Sequence, residues 1–193
     1  MKKFLKAAII SSYVNAVDFL SPCKGALAEQ GFFHWKQFFG PEEHDALKQL
    51  TQDLTSASDT SILLRHPFLG KILLDPEVNE MITSYLGSRA RLDFVSGRVM
   101  QEGKPASPEW HHDSVGHRIK IFVCVNDQSP SACTEVIPGS HRKRYFDYND
   151  SRIEPNGAGE DRLQKLIGHV GDLLVFDTNL LHRGIYDDSP RYL

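Results

Sequence analysis

The pattern of the sequence changes near residue 91, and this change restricts the fold more than any other feature. Before residue 91, apolar residues recur at helical spacing; after it, short apolar segments are separated by turns that contain Pro, Gly or Ser. Helices followed by many short strands are typical of α+β proteins. We therefore expect an α+β fold in which N-terminal helices pack on one sheet of a sandwich or jelly-roll core, residues 91–193.

The individual elements are predicted from the same patterns. Helices are expected over residues 2–20, 41–54, 68–74 and 76–86. Strands are expected over residues 31–39, 91–100, 109–113, 118–126, 134–137, 169–171 and 173–177. Pro41 lies in the first turn of its helix, where Glu42 and Glu43 suit the helix dipole, and Gly87 ends the last predicted helix.

Length and composition limit the class of protein. The 193 residues predict a single domain, residues 1–193, with an N-terminal helical extension over residues 1–28. A net charge of −3 gives no reason to expect nucleic acid or an anionic membrane as a partner. The three cysteines, Cys23, Cys124 and Cys133, are odd in number and lack C-x-x-C spacing, so a cytoplasmic location is expected rather than a disulfide framework.

The N-terminal residues resemble the start of a signal peptide, because lysines precede a short apolar segment. Ser11, Ser12, Asn15 and Asp18 dilute that segment, and no small-residue cleavage site follows it. We therefore favour an amphipathic helix. No segment approaches the roughly 18 apolar residues of a membrane span, so no membrane association is expected.

The clearest candidate for chemistry is a pair of metal-ligand residues, His111 and Asp113, within the sequence Trp-His-His-Asp. Residues i and i+2 of an extended segment project from the same face, so both side chains can reach one ion. A distant histidine, His182, can complete the set. Two histidines and one carboxylate are the facial arrangement of non-haem Fe(II) oxygenases. Trp110 and His112 are then expected to face away from the metal, with Trp110 in the core.

A chance origin of this motif is the alternative. The sequence contains nine histidines, and most histidines are ordinary surface or core residues. A short motif of this kind is a hypothesis that needs structural context. The context comes from the neighbouring sequence.

Several segments together resemble the phytanoyl-CoA dioxygenase family of Fe(II)/2-oxoglutarate-dependent oxygenases, over roughly residues 29–193. The resemblance is carried by an aromatic segment and four further blocks: residues 31–39, Trp110-His111-His112-Asp113, residues 120–127, Val136-Ile137-Pro138-Gly139-Ser140-His141-Arg142, and residues 171–191. The blocks occur in the family's order. The resemblance implies a double-stranded β-helix, which is a jelly-roll or cupin-like core.

The resemblance also implies roles for particular residues. His111, Asp113 and His182 would bind Fe(II) and form the catalytic centre, and Arg191 would bind the far carboxylate of 2-oxoglutarate. Lys120 is the alternative anchor, although an outward, solvated lysine is the other interpretation. The implied reaction is hydroxylation of a C–H bond in a small-molecule substrate, with O2 consumed, succinate and CO2 released, and ascorbate as a supporting reductant.

Two departures from the family pattern concern secondary contacts. Ala132 stands where members often have glycine, and Gly184 stands where some have a serine that contacts the cofactor. Related halogenases replace the aspartate with a small residue. Because Asp113 is present, hydroxylation is favoured over halogenation.

The substrate is not identified by the sequence. The basic residues 141–145 and Arg152 suggest either a clamp for an anionic substrate or a solvated loop, and residues 146–159 suggest a lid. A monomer or a homodimer is expected. Three other functions remain open: a 2-oxoglutarate-independent cupin-type metalloenzyme, a catalytically silent small-molecule sensor, and a carbohydrate-binding module.

Overall fold

The structure is a computed structural model. It describes residues 9, 12, 25–54, 61–88, 90–100, 109–113, 118–143, 160–187 and 191–192. The helix expected over residues 2–20 lies outside the described residues except for Ile9 and Ser12, which are both helical. The lid expected over residues 146–159 and the turns around Pro105 and Pro155 also lie outside them.

Within the continuous described segments from residue 25 onward, five short helices precede most of the strands. They are α1 (Ala26–Gln30), α2 (His44–Asp53), α3 (Ile62–Arg65), α4 (Lys71–Leu74) and α5 (Pro76–Leu86), with 3-10 turns at Pro41–Glu43 and Pro67–Gly70. Helix α5 has the predicted bounds. Its N-terminus is capped by the Asp75 carboxylate, which accepts hydrogen bonds from the backbone N–H groups of Glu77 and Val78. Gly87 ends the helix with a φ of 89°.

The described strands form three antiparallel sheets. The strands are β1 (Phe32–Trp35), β2 (Val99–Met100), β3 (Ile119–Val123), β4 (Thr134–Val136), β5 (Gln164–Leu166), β6 (Leu173–Asp177), β7 (His182–Gly184) and β8 (Arg191–Tyr192). Two sheets have three strands, in the orders β1-β6-β3 and β5-β4-β7, and the third pairs β2 with β8. The protein therefore has the mixed helix and antiparallel-sheet content of an α+β fold.

Several predicted elements were wrong or too long. Residues 169–171 form a turn, closed by the Asp172 N–H and the His169 carbonyl, rather than a strand. Residues 109–113 make a single bridge, at His111, and the predicted strand over residues 91–100 is reduced to its last two residues. Strands β5, β7 and β8 and helix α3 were not predicted, because segments of two to four residues are too short to show a period.

The core is organised around β6, all of whose residues are buried. Leu173 and Val175 pack with the apolar faces of α2 and α5, whereas Leu174 and Phe176 pack with Val136 of β4 and Leu166 of β5. One face of the β1-β6-β3 sheet therefore carries the helices, and the other face meets the second three-stranded sheet. Burial on both faces explains why β6 is apolar from Leu173 to Phe176 instead of alternating.

A buried carboxylate at each end of β6 fixes the adjoining turns. At the C-terminal end, Asp177 accepts hydrogen bonds from the Tyr85 hydroxyl (2.5 Å) and from the backbone and side-chain N–H groups of Asn179 (2.6 and 2.7 Å). Tyr85 belongs to α5. The helical layer thus holds the turn from which the chain enters β7 at His182.

At the N-terminal end, Asp172 joins β6 to the end of β1. Its carboxylate is 1% exposed and accepts hydrogen bonds from His34 Nε2 (2.7 Å) and from the backbone N–H groups of Gln37 (2.8 Å) and His169 (2.9 Å). Burial by itself would raise the pKa of Asp172, but the hydrogen bonds from Gln37, His169 and His34 outweigh it, so the pKa is lowered. A lowered pKa in the folded state means that this carboxylate stabilises the fold when it is ionised.

We predict that Asp172→Asn lowers the free energy of unfolding at pH 7 by about 1–3 kcal/mol, because the amide turns one acceptor into a donor facing N–H groups. The contribution of Asp172 is fully present above its unfolded pKa of about 3.9 and is lost as the pH falls through the lower folded value. Urea titrations at pH 7 and pH 3 should therefore show a difference between variant and wild type that shrinks on acidification. Asp161→Asn, at an exposed position, is the control and should leave stability unchanged at both pH values.

Candidate metal centre

Three potential metal ligands from distant parts of the sequence lie together. One ligand atom from each of His111, Asp113 and His182 lies within 4.8 Å of the others. His111 Nε2 is 3.9 Å from Asp113 Oδ1, and His182 Nε2 is 3.6 Å from Asp113 Oδ2. These are the three residues that the sequence singled out, and each imidazole has one oxygen of the carboxylate near its Nε2.

Backbone hydrogen bonds bring the two histidine segments into register. The N–H of His111 donates to the carbonyl of His182 (3.0 Å), and the N–H of His182 donates to the carbonyl of His111 (2.9 Å). The Asp113 N–H donates to the Thr178 carbonyl (2.9 Å). Residues 109–113 therefore attach to the free edge of β7 by one bridge, which still directs His111 and Asp113 to the same side.

Each imidazole is oriented by a backbone carbonyl. His111 Nδ1 lies 2.8 Å from the carbonyl oxygen of Glu109, and His182 Nδ1 lies 2.7 Å from that of Leu180. A carbonyl oxygen only accepts, so Nδ1 is the donor in both rings, and Nε2 is the nitrogen that lies near Asp113. Sequence reasoning missed these partners, because the backbone conformation that creates them is not encoded in a motif.

The ionisation of the group matches what a metal requires. Burial lowers the pKa of His182 to about 4, against an opposing effect of Asp113 and with a further lowering by His111. Burial would raise the pKa of Asp113, but the neighbouring His182, Lys120 and His111 outweigh it and lower the pKa. At pH 7 a neutral His182 and an ionised Asp113 therefore face each other, and these are the forms that bind a divalent cation.

Lys120 lies beside this group. Its Nζ atom is 2.7 Å from Asp113 Oδ2, and its side chain on β3 is 33% exposed. A lysine on a partly buried strand face needs a carboxylate partner. Asp113 is that partner, so the ammonium group already neutralises a carboxylate of the protein.

Arg191 occupies a different environment. The residue is 2% exposed, and Nη2 donates a hydrogen bond to the Thr134 hydroxyl (2.5 Å). Within the described part of the chain, the buried Nε has no hydrogen-bond partner and no carboxylate lies within 4.0 Å of the guanidinium. Burial lowers the pKa of Arg191, although nearby Tyr186, Cys124 and Cys133 oppose this. A buried guanidinium with unused donors is suited to an anionic ligand.

Gly184, one of the departures noted in the sequence, has a structural explanation. A Cβ atom at this position would lie 2.1 Å from the hydroxyl oxygen of Tyr186. The space that a side chain at residue 184 would fill is therefore taken by the Tyr186 ring. A serine could not be accommodated here unless that ring moved.

The neighbours of the ligand residues face the other way, as predicted by strand alternation. Trp110 is buried in a small cluster with Ile137 and Leu181, which confirms it as a core residue, and His112 is also buried. The Trp110 ring further contacts the Arg183 guanidinium, at 4.7 Å between the guanidinium carbon and the ring centre. This contact was not predicted.

The basic segment after Ser140 is partly accounted for. Arg142 donates to the Ala28 carbonyl at the end of α1 through Nε (3.2 Å) and Nη2 (2.9 Å). The Arg142 guanidinium thus serves a backbone acceptor, which favours the structural interpretation over an anion clamp. Arg144, Tyr145 and Arg152 lie outside the described residues.

No helix among the described residues is both long enough and apolar enough to cross a membrane.

Solved structures of three proteins share this fold at low sequence identity. HygX from Streptomyces hygroscopicus, with nickel and 2-oxoglutarate bound, aligns with a TM-score of 0.65 and 16% identity over 86% of this chain and 81% of HygX. EctD from S. alaskensis, with 2-oxoglutarate and 5-hydroxyectoine, aligns with a TM-score of 0.68 and 20% identity over 86% of this chain and 71% of EctD. SnoK, a non-heme alpha ketoglutarate dependent carbocyclase from nogalamycin biosynthesis, aligns with a TM-score of 0.62 and 17% identity over 86% of this chain and 78% of SnoK.

Sequence comparison assigns the chain to a family. No curated protein matches the sequence. The family model for phytanoyl-CoA dioxygenase (PhyH) matches residues 55–185, which is more than half of the 193 residues and includes His111, Asp113 and His182. The chain therefore belongs to the phytanoyl-CoA dioxygenase family.

Proposed function

We propose that this protein is an Fe(II)- and 2-oxoglutarate-dependent oxygenase that hydroxylates a C–H bond of a small molecule. The observation that carries the proposal is the convergence of two Nε2-directed imidazoles and the Asp113 carboxylate in one group. A two-histidine, one-carboxylate donor set is suited to Fe(II) and leaves coordination positions open for other ligands. The bound cofactors seen in HygX and EctD support the same assignment.

In the proposed centre, three residues would bind the metal and a fourth would bind the cosubstrate. His111, Asp113 and His182 would hold Fe(II), with the Glu109 and Leu180 carbonyls fixing the orientation of the two rings. When bound, iron, 2-oxoglutarate and O2 supply an oxidative decarboxylation to succinate and CO2 that is coupled to oxidation of the substrate. Asp113 occupies the ligand position that halogenases leave to a small residue, which favours hydroxylation.

Arg191 would bind the carboxylate of 2-oxoglutarate that does not reach the metal. Its fork is fixed on one side by the Thr134 hydroxyl, and its buried Nε remains available for a carboxylate oxygen. A planar guanidinium can bind a carboxylate through two parallel hydrogen bonds. Lys120, whose ammonium group is paired with Asp113, is the less suitable anchor.

The fold and the cellular setting are proposed on the same basis. We propose that the two facing three-stranded sheets belong to a double-stranded β-helix within a single domain.

The thiols of Cys124 and Cys133 are free and buried, and burial raises the pKa of Cys124 to about 12. Unreactive free thiols are compatible with a reducing cytoplasm. The carbocyclase SnoK has a related fold, so the fold alone does not determine the oxidative outcome.

The proposal is tested first by anaerobic titration of the metal-free protein with Fe(II) and then 2-oxoglutarate. We expect a weak visible charge-transfer band when 2-oxoglutarate chelates the bound iron. Absence of the band although iron is bound would contradict the proposal and indicate a 2-oxoglutarate-independent metalloenzyme or a binding protein. Succinate release in the presence of O2 would then screen small-molecule substrates, anionic and neutral.

We predict that His111→Ala, Asp113→Ala and His182→Ala each reduce succinate formation to the background rate, because each removes one of three metal ligands. Circular dichroism should show an unchanged fold. His169→Ala is the matched control, since this histidine is largely exposed and pairs with Asp127. Full activity of the Asp113 variant would refute the assignment of the triad.

Substitutions of Arg191 and Lys120 should change the affinity for 2-oxoglutarate to different extents, and this difference identifies the anchor. Arg191→Met should weaken 2-oxoglutarate binding about 30-fold or more, because a desolvated charge pair with a carboxylate contributes roughly 2 kcal/mol or more. Fe(II) affinity should stay within about twofold. Lys120→Met should leave the 2-oxoglutarate affinity nearly unchanged. The charge-transfer band measures both constants, and the reverse pattern would make Lys120 the anchor.

A further inference from the structure

A row of three side chains lies on the face of the sheet opposite the ligands: Glu135 of β4, Arg183 of β7 and Trp110. We propose that this row is a positioning device that fixes the spacing of His111 and His182. The inference rests on the proposed metal centre and concerns residues that do not contact the metal.

The sequence order of these residues places them directly behind the ligands. Trp110 precedes His111, and Arg183 follows His182, so in extended segments each projects to the opposite side from its neighbouring histidine. The strand register pairs Glu135 with Arg183 and Val136 with His182. The two histidines therefore share one face of the sheet, and Trp110, Arg183 and Glu135 share the other.

Direct contacts join the row. Arg183 Nε donates to Glu135 Oε2 at 2.8 Å, and its guanidinium carbon lies 4.7 Å from the centre of the Trp110 ring. The side chain of Glu135 is only 6% exposed, and Trp110 packs against Ile137 and Leu181. A charge-assisted bond to a buried carboxylate and a guanidinium stacked on an indole are both stronger than exposed ion pairs.

The His111 segment depends on the contacts of the row because its own backbone attachment is weak. Residues 109–113 join β7 through the single His111–His182 bridge, and Asp113 adds one bond to Thr178. One bridge leaves the segment able to rotate about the line of its hydrogen bonds. Contact between Arg183 and Trp110 behind the bridge opposes that rotation, and so keeps the ring centres of the histidines 4.3 Å apart.

Lys165 provides an internal control. It pairs with Glu135 from the other side, on β5, with 3.8 Å between Nζ and Oε1. It therefore contacts a member of the row, Glu135, but does not adjoin a histidine segment. Removing Lys165 should disturb the charge balance of Glu135 without changing the contact between Arg183 and Trp110.

The test measures binding of Co(II) alone, in the absence of 2-oxoglutarate, to the folded protein by visible absorption. We expect Arg183→Met to weaken Co(II) binding about tenfold or more and to change the visible spectrum, since partners that orient metal ligands typically contribute 10- to 100-fold in affinity. Lys165→Met should bind within twofold of wild type with an unchanged spectrum. An Arg183→Met protein that behaves as wild type, or a Lys165→Met protein weakened equally, would overturn the proposal.

Three further variants keep the test decisive if Arg183→Met does not fold. Trp110→Phe retains an aromatic face and should bind Co(II) more tightly than Trp110→Leu. Arg183→Lys keeps the charge but loses the planar fork, and should bind several-fold more weakly than wild type. Wild-type affinity in Arg183→Lys, or equal affinity of the two Trp110 variants, would overturn the role of the row. Because 2-oxoglutarate is absent, these results are independent of whether the charge-transfer band forms.

Discussion

The burial of β6 on both faces is the constraint on which the rest of the structure depends. Leu173 and Val175 anchor the helical layer, while Leu174 and Phe176 hold the second sheet. A one-residue shift in its register would exchange the residues that pack on its two faces and displace Asp177 from its hydrogen-bond partners. Its end at Asp177 is therefore fixed in space, and the short turn that follows delivers His182 to a defined point.

The accuracy of the sequence predictions follows the length and patterning of the segments. Strand β6 and helix α5 have the predicted bounds, because one is a continuous apolar run and the other carries both a cap at Asp75 and a stop at Gly87. Strands β5 and β7 were missed because each is three residues long and contains charged residues. Such segments become strands through their neighbours, and that information is tertiary.

The three candidate ligand residues could be predicted from the sequence, but the groups that orient them could not. The spacing of His111 and Asp113 predicted two ligands, and His182 was the histidine that could complete the set, a role that the family resemblance also implied. The carbonyls of Glu109 and Leu180, which orient the rings, belong to residues whose side-chain identities do not determine this role. Tyr186 was missed for a related reason, because its position in the space beside Gly184 depends on how the chain folds after β7.

Electrostatics distinguishes the two cations that could anchor an anionic cosubstrate. Lys120 is half-buried and lies 2.7 Å from Asp113, so its charge is balanced within the protein. The Arg191 guanidinium is buried and has a neutral hydroxyl as its partner, with no balancing carboxylate in the described part of the chain. An unbalanced buried charge costs several kcal/mol, and a bound carboxylate offsets that cost. This difference is the reason why we propose Arg191, and not Lys120, as the anchor of an anionic ligand.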